Sequence, residues 1–212
     1  MASRFARHAL AARLASPCFA LALLNGVLTQ GAVAAEDPQN VVRAFYQVLL
    51  GNMKSGHVLG ESGRLARLAP VVDRDFDIPA MTRLAVGTSW TNLNPTEQQR
   101  LIAAFGHYVA ATYADQFDTY SGEQLQVTGE RPHGPDVMVQ TKIVKANGES
   151  TRLDYLMDPS GRILDVYLDG SISELAVHHS EFHSILEREG VDGLVTALNR
   201  KVDLLRNIAK AS

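Results

Sequence analysis

The sequence predicts an α+β fold in which about six helices accompany a four-stranded antiparallel sheet. Three patterns lead to this prediction. Apolar residues recur every three or four positions from residue 38 to residue 117, alternate with polar residues between 125 and 168, and return to helical spacing after residue 173. No repeat, low-complexity tract or linker interrupts residues 36–212, so we expect them to form a single domain.

Each of the first three helices is indicated by a local start or stop signal. Asp37-Pro38 makes a suitable cap and first turn, and we expect the helix that follows to end at Gly51. A second helix is predicted over residues 63–74 from its apolar spacing. A third, short helix is predicted over residues 78–86, because a glycine follows it.

The fourth helix has a stronger start signal. Asn94 is a good cap, Pro95 suits the first helical position, and Glu97 stands where a capping box needs a carboxylate. Its remaining side chains recur at spacings of three and four: Leu101, Phe105, Tyr108, Val109, Thr112, Tyr113 and Phe117. We therefore predict a long amphipathic helix here.

Four short segments have the alternation that is typical of strands. They are residues 125–127, 137–144, 153–157 and 162–168. Asn147-Gly148 separates the second segment from the third and is the preferred two-residue hairpin turn, because both positions need a positive φ. We therefore expect the strands to follow one another as an antiparallel meander.

Two further helices are predicted at the end of the chain. The first runs over about residues 173–189 and is expected to end at Gly190. The second begins at Asp192, and its apolar residues keep a helical spacing: Leu194, Leu198, Val202 and Leu205. With these two, the predicted number of helices is six.

Residues 1–35 have the features of a secretory signal peptide. Arg4, Arg7 and Arg13 precede an apolar run over residues 18–28, and small residues at 32 and 34 fit a signal peptidase site. The run is shorter than the ~20 residues that a membrane span needs. We therefore expect cleavage after residue 34 or 35 and export from the cytoplasm.

Composition excludes several classes of function for residues 36–212. Cys18 is the only cysteine, so the expected mature chain has no disulfide, thiolate metal ligand or cysteine nucleophile. Removing three of the 20 basic residues leaves 17 against 23 acidic ones, a net charge of about −6. This balance argues against nucleic acid as a partner and against polybasic adhesion to anionic lipid.

No group of residues predicts catalysis or metal binding. His179 and His183 stand four apart on a predicted helix, but the segment HHSEFH at 178–183 is not the H-E-x-x-H pattern. An exposed helix face explains these histidines. The serine of Gly87-Thr88-Ser89-Trp90 lacks the G-x-S-x-G turn that exposes a nucleophile. We therefore predict no metal, no cofactor and no enzymatic activity.

Aromatic side chains are concentrated in the middle of the chain. Seven occur within 45 residues: Phe76, Trp90, Phe105, Tyr108, Tyr113, Phe117 and Tyr120. Periodicity does not distinguish a filled core from a lined cavity, and composition alone favours the filled core. Both interpretations stay open at the level of residue patterns.

Several spaced motifs resemble the MlaC (toluene-tolerance) family. They are FDIPAMTRLAVGTSW at residues 76–90, LNPTEQQRL at 93–101, Tyr120-Ser121-Gly122, and Gly190-Val191-Asp192-Gly193-Leu194. The family pattern reads F-D-x-x-x-M-[AST]-R-x-V-[LV]-G-x-x-W, followed by a helix that opens with T/N-P-x-Q/E. The resemblance covers about residues 38–207, and its motifs occur in the family's order.

One segment departs from that family. MlaC proteins proper have a G-V-S-L-V-x-N-Y-R-x-x-F run, whereas residues 170–182 read GSISELAVHHSEF, one residue longer. This form is similar to the HpnM branch, which is associated with hopanoid biosynthesis and transport. The resemblance therefore leaves a phospholipid and a hopanoid as alternative ligands.

The resemblance also implies an architecture and a function. We expect a twisted sheet wrapped by helices, with a lipid cavity between the two layers. The expected function is a periplasmic shuttle between an inner-membrane lipid transporter and an outer-membrane complex. A non-transporting adaptor and a lipid-modifying enzyme are the alternatives. From the helix and strand faces we place these residues in the cavity wall: Met81, Leu84, Trp90, Phe105, Tyr108, Val109, Tyr113, Leu153, Tyr155 and Val166.

Overall fold

The computed structural model describes residues 36–211, with side chains through residue 206. The expected signal peptide, residues 1–35, lies outside this range. The described elements are α1 (Pro38–Lys54), α2 (Gly56–Asp75), α3 (Ile78–Val86), a 3-10 helix (Gly87–Asn92), α4 (Pro95–Gln116), β1 (Gln124–His133), β2 (Asp136–Val144), β3 (Ser150–Met157), β4 (Ile163–Leu168), β5 (Ile172–Ser173) and α5 (Glu174–Ala211). The α+β class is confirmed.

The sheet has five strands where the sequence predicted four. All neighbouring strands are antiparallel and lie in chain order. The additional strand, β5, pairs Ile172 with Leu168 and Ser173 with Tyr167 after a turn in which Asp169 has φ 49°. Two residues are too short for an alternating pattern, so the sequence did not indicate this strand.

The described residues form five α-helices rather than about six. The two helices expected on either side of Gly190 are one element, α5, which bends where Gly190 has φ 66°. Likewise α2 begins earlier than predicted, at Gly56, and bends at Gly60 with φ 60°. Both bends use a glycine, because a left-handed conformation costs other residues free energy.

The helix starts follow the predicted capping chemistry. The carboxylate of Asp77 accepts a hydrogen bond from the main-chain N–H of Ala80 at 3.0 Å. The capping box at α4 is complete, since Asn94 accepts from Glu97 N at 3.0 Å and Glu97 accepts from Asn94 N at 2.9 Å. The predicted end of α1 at Gly51 is wrong, because the helix continues to Lys54.

Different helices pack against different strands of the sheet. Helix α1 packs against β1 and β2, whereas α3 and α5 pack against β4. Aromatic rings fill the space beneath α1: the Phe45 ring lies 5.3 Å from Phe76, 5.0 Å from Tyr113 and 6.3 Å from Tyr155, each edge to face. Free space between the layers is therefore found towards β4. None of the described helices is long and apolar enough to cross a membrane.

Candidate functional site

A pocket of about 110 Å³ lies where α3, α4 and the start of α5 meet the sheet at β3 and β4. We call it the central pocket. It is lined by Phe76, Met81, Phe105, Tyr108, Val109, Thr112, Tyr113, Gln116, Leu153, Val166, Leu168, Glu174, Leu175 and His178. Most of these side chains are apolar or aromatic, as is usual for sites that bind organic ligands.

One stripe of α4 forms the largest part of the wall. Its residues are spaced by three and four and so share one helix face: Phe105, Tyr108, Val109, Thr112, Tyr113 and Gln116. The sheet completes the wall through Leu153 and Val166, which are both buried. In the sheet, Leu153 pairs with Leu168 and Tyr155 pairs with Val166, so these four residues follow the pairing of β3 with β4.

The interior of the pocket is lined by buried side chains that carry no charge. Met81, Phe105 and Val109 are buried, and the Tyr113 hydroxyl stays uncharged because burial raises its pKa. Ligand atoms held among these side chains are removed from water without facing a charge. The wall is therefore suited to hydrocarbon.

Part of the pocket lining is not buried. We call five of these residues the pocket mouth: Thr112, Gln116, Leu168, Glu174 and His178. Gln116 and Leu168 are exposed and Glu174 is half-buried, so the lining meets solvent here. The hydroxyl of Thr112 donates to the main-chain oxygen of Tyr108 at 2.9 Å and is used within the helix.

Two carboxyl groups lie close to one another beside the mouth. Burial raises the pKa of Glu174, and the charge of Asp165 raises it further. Asp165 also has a pKa raised by burial, although its carboxylate accepts hydrogen bonds from the main-chain N–H groups of Val166 (2.7 Å) and Leu175 (3.1 Å). The start of α5 therefore brings a carboxyl group, Glu174, to the mouth.

His178 is part of the pocket wall. Its ring lies 5.5 Å from Phe105, 5.6 Å from Tyr108 and 5.5 Å from Phe182. Burial, and next the charge of Lys201, lower the pKa of His178, so the ring is held in its neutral form. Its Nδ1 is buried without a hydrogen-bond partner among the described residues. The expectation of an exposed histidine face is therefore wrong for this residue.

The other two histidines lie outside the pocket. His179 Nδ1 lies 3.1 Å from the main-chain oxygen of Ala85, and His183 Nε2 lies 3.3 Å from Glu187 Oε1. Within residues 36–211, no three histidine or carboxylate side chains are grouped closely enough to hold a metal ion.

Seven of the ten residues that the sequence placed in the cavity wall line the central pocket. They are Met81, Phe105, Tyr108, Val109, Tyr113, Leu153 and Val166. The other three lie elsewhere. Leu84 is 51% exposed and faces an outer groove, and Trp90 is half-buried in the 3-10 helix. Tyr155 is fully buried in the aromatic core, 5.8 Å from the Tyr46 ring.

The sequence prediction also missed several wall residues: Phe76, Thr112, Gln116, Leu168, Glu174, Leu175 and His178. Two of these could have been found, because Thr112 and Gln116 continue the stripe from Phe105 at intervals of seven and eleven. The α5 residues had no such signal, because their position depends on the path of the chain after β4. The chain turns there at Asp169-Gly170, where both φ angles are positive; Asp-Gly is a favoured hairpin turn, but the prediction did not use it.

Three larger grooves lie on the outside of the helices. Their volumes are about 480 Å³ past Ile102 and Arg162, about 620 Å³ past Leu84 and His179, and about 340 Å³ past Arg100. Charged side chains line all three. Size alone therefore does not identify the site, since an open groove leaves much of a bound chain in water.

The family described as MlaC protein matches residues 43–200 of this chain, well over half of it. The chain belongs to the MlaC family. The central pocket lies inside the matched range, as do the motifs at residues 76–90 and 93–101. The segment at 170–182, which departs from MlaC proteins proper, also lies inside it and contributes to the pocket mouth.

Two known proteins are similar to this MlaC-family chain. The intermembrane phospholipid transport system binding protein MlaC of Haemophilus influenzae is 21% identical over 123 residues, which is 54% of this chain and 57% of that protein. The match thus spans a little over half the length of that relative. The phospholipid-binding protein from Ralstonia solanacearum, solved in complex with a phospholipid, has a TM-score of 0.66 and 25% identity, covering 80% of this chain and 98% of that one.

Proposed function

We propose that this chain is a periplasmic lipid carrier that holds the hydrocarbon of one membrane lipid in the central pocket. It takes the lipid from, or delivers it to, an inner-membrane lipid transporter and an outer-membrane complex. The observation that carries this proposal is the apolar wall between α4 and the sheet, whose partly exposed residues are mostly polar. The phospholipid bound by the related Ralstonia solanacearum protein supports it.

Lipid transport through water requires an enclosed apolar site. Withdrawing each methylene from water is worth about 0.8 kcal/mol, so a chain of ~16 carbons represents about 13 kcal/mol. An open surface groove leaves much of this free energy unused. The buried side chains of Met81, Val109 and Val166 offer the required surface, and the head group then lies at the pocket mouth in water.

The pocket has to widen to hold a lipid. Its volume of about 110 Å³ is below the roughly 300–1,000 Å³ of typical ligand sites. We propose that α3 is the moving edge. It has Pro79 in its first turn and Gly87 directly after its end, and its last turn is connected to α5 by the hydrogen bond between His179 and Ala85. Its first residues are held more firmly, since Asp77 N donates to Ile163 O at 2.9 Å.

A reversible cross-link between α3 and α5 tests this gate. Leu84 and His179 line the same outer groove, and a chain that begins at Glu36 has no cysteine. The double variant Leu84→Cys/His179→Cys, joined by a short reducible thiol linker, is expected to stop lipid uptake and release. Reduction of the same sample is the matched control and should restore both. Normal transfer by the cross-linked form contradicts a moving α3.

The ligand within the lipid class is a phospholipid or a hopanoid. The two relatives support a phospholipid, because their names state it. Residues 170–182, the segment that departs from MlaC proteins proper, support a different ligand, because they supply Glu174, Leu175 and His178 to the pocket. The residues in which this segment resembles the HpnM branch therefore include residues that line the proposed ligand site.

Organic extraction of the purified protein tests the proposed function. The full chain is produced in a Gram-negative host that makes hopanoids, purified from the periplasmic fraction, and extracted for mass spectrometry. We expect about one lipid per chain, and a protein mass that corresponds to a chain beginning at residue 35 or 36. A correctly folded protein without lipid favours a non-transporting adaptor, and a cytoplasmic protein of full mass contradicts the proposed signal peptide.

An enzymatic function is tested by the fate of the bound lipid. The central pocket offers Glu174 and His178 as its ionisable groups other than tyrosines, and the hydroxyl of Thr112 donates to the main-chain oxygen of Tyr108 rather than to either of them. We expect lipid incubated with the protein to be recovered chemically unchanged. A new lipid species that appears with the protein, and is absent with the His178→Phe variant, contradicts this expectation.

A further inference from the structure

The pocket mouth has an unbalanced charge. Among the described residues, no lysine or arginine lines the central pocket, and Glu174 is its one acidic lining residue. Glu174 is the first residue of α5 and is half-buried. No described side chain forms a salt bridge with it. Its carboxylate is therefore available to interact with a ligand group at the pocket mouth.

No cationic side chain among the described residues pairs with this carboxylate, although the N-terminus of α5 partly offsets its charge. The second carboxylate, Asp165, is engaged by the Ser173 hydroxyl at 2.5 Å and by two main-chain N–H groups. Lys201 lies with its Nζ 5.4 Å from the Tyr108 ring, but this ammonium is paired with Glu181 at 2.7 Å. The mouth thus combines a negative group from α5 with the amide of Gln116 from α4.

We infer that Glu174 makes the pocket mouth select against lipids whose head group has a net negative charge. This inference rests on the proposed function. A head group held at the mouth lies beside the Glu174 carboxylate, where an anion is repelled. An ammonium or a hydroxyl is attracted instead, because either can donate a hydrogen bond to that carboxylate. Zwitterionic and uncharged amphiphiles are the favoured classes.

A competition between two phospholipids tests the inference. The mature chain is incubated with vesicles of equal amounts of phosphatidylethanolamine and phosphatidylglycerol that have identical acyl chains. The lipid bound to the re-isolated protein is then measured by mass spectrometry. We expect phosphatidylethanolamine to exceed phosphatidylglycerol by about threefold to tenfold at low ionic strength, and less at high salt, because ions screen this partly exposed charge.

Two variants assign the preference to the mouth. Glu174→Gln keeps the shape of the side chain and removes its charge, and we expect the ratio of the two lipids to fall below about twofold. Glu130→Gln is the matched control, because Glu130 is exposed on β1 and lies outside the pocket lining. It changes the net charge of the chain equally and should leave the ratio unchanged.

The outcomes separate the inference from the function on which it rests. Equal binding of both lipids by the unmodified chain, or the same ratio in Glu174→Gln, contradicts the role of Glu174 while leaving a lipid carrier in place. A ratio that falls as far in Glu130→Gln contradicts it too, since the effect then belongs to total charge. Failure to take up either lipid contradicts the proposed function and the inference together.

Discussion

His179 on α5 donates a hydrogen bond from Nδ1 to the main-chain oxygen of Ala85 in the last turn of α3, over a distance of 3.1 Å. The two helices approach closely here, because a Cβ atom at Gly87 would lie 2.4 Å from Cε1 of His179. The contact lies on the outer side of α3, away from the central pocket. It is therefore placed to restrain α3 without touching a bound ligand.

Replacement of His179 by alanine should loosen this edge of the pocket. We expect the free energy of unfolding to fall by about 0.5–1.5 kcal/mol, the usual net worth of one hydrogen bond. If opening of α3 limits exchange, transfer of a fluorescent lipid between vesicles should become about twofold to tenfold faster. Stopped-flow transfer kinetics and chemical denaturation measure the two effects.

His183→Ala is the matched control for this variant. His183 lies on the same helix and its ring stacks 6.3 Å from His179, but its ionic partner is Glu187 on its own helix. Its removal should leave the transfer rate unchanged. Equal acceleration by both variants, or none by His179→Ala, contradicts the role given to the contact with Ala85.

Filling the central pocket should prevent lipid binding. Val166 is buried on β4 and lines the pocket, so Val166→Phe places a ring in the space of about 110 Å³. We expect at least a tenfold loss of co-purified lipid. Overpacking costs about 1–3 kcal/mol, so a domain of this size should stay folded. Lipid extraction with mass spectrometry and circular dichroism check the two expectations.

Val58→Phe is the corresponding control. Val58 is 91% exposed on α2, and the same substitution there adds the same volume outside the pocket. It should retain normal lipid. A folded Val166→Phe protein that also carries normal lipid contradicts the placement of hydrocarbon between α4 and the sheet.

Stability in acid should depend on His178. Its pKa in the folded chain lies below the ordinary value of 6.5, so the unfolded chain binds more protons when the pH falls through this range. The stabilisation is complete above about pH 6.5 and is lost as the pH falls. His178→Phe should reduce this loss, and thermal unfolding between about pH 5 and 7 measures it.

His107→Phe provides the comparison for that experiment, because His107 is exposed on α4. It should keep the pH dependence of the unmodified chain. The raised pKa values of Asp165 and Glu174 act in the opposite direction, since protonated carboxyls lose favour as the pH rises. Asp165 and Glu174 are present in every variant. If the dependence of stability on pH is the same in His178→Phe as in the unmodified chain, the result contradicts a buried neutral His178.

Two glycines on helices should respond to alanine in opposite ways. Gly51 lies inside α1 with helical neighbours and no atom within 4 Å of a Cβ, so Gly51→Ala should stabilise the chain by about 0.5–1 kcal/mol. Gly190 also has room for a Cβ, but its φ is 66°. Gly190→Ala should destabilise the chain by about 1 kcal/mol. Chemical denaturation of both variants compares them, and the same sign for both contradicts the bend in α5.

These glycines also illustrate what the sequence could predict. Gly51 and Gly190 have the same appearance in the chain, and both were expected to end helices. Whether the chain bends or continues at a glycine depends on packing from distant elements, which the local pattern does not contain. In contrast, the capping box at Asn94 and Glu97 depends on neighbours in the sequence, and it was predicted correctly.

The candidate site was predictable to the same extent. The predicted α4 residues all line the central pocket, because one helix face determines them together. Tyr155 lies two residues beyond Leu153 on β3 and belongs to the buried core rather than to the pocket wall. Alternation predicts the face of a strand but not how far a pocket extends along it. Glu174 and His178 reach the mouth through the Asp169-Gly170 turn and the two-residue strand β5; Asp-Gly is a favoured hairpin turn, but so short a strand has no alternating pattern.

Position-resolved photolabelling tests the central claim most directly. A phospholipid with a diazirine at the end of one acyl chain is loaded into the mature protein, irradiated, and mapped by peptide mass spectrometry. We predict labels on peptides that contain Met81, Val109 and Val166, the buried wall of the central pocket. Labels confined to the outer grooves around Ile102 or Leu84, or no labels on a protein that carries the lipid, would contradict a hydrocarbon chain held between the helices and the sheet.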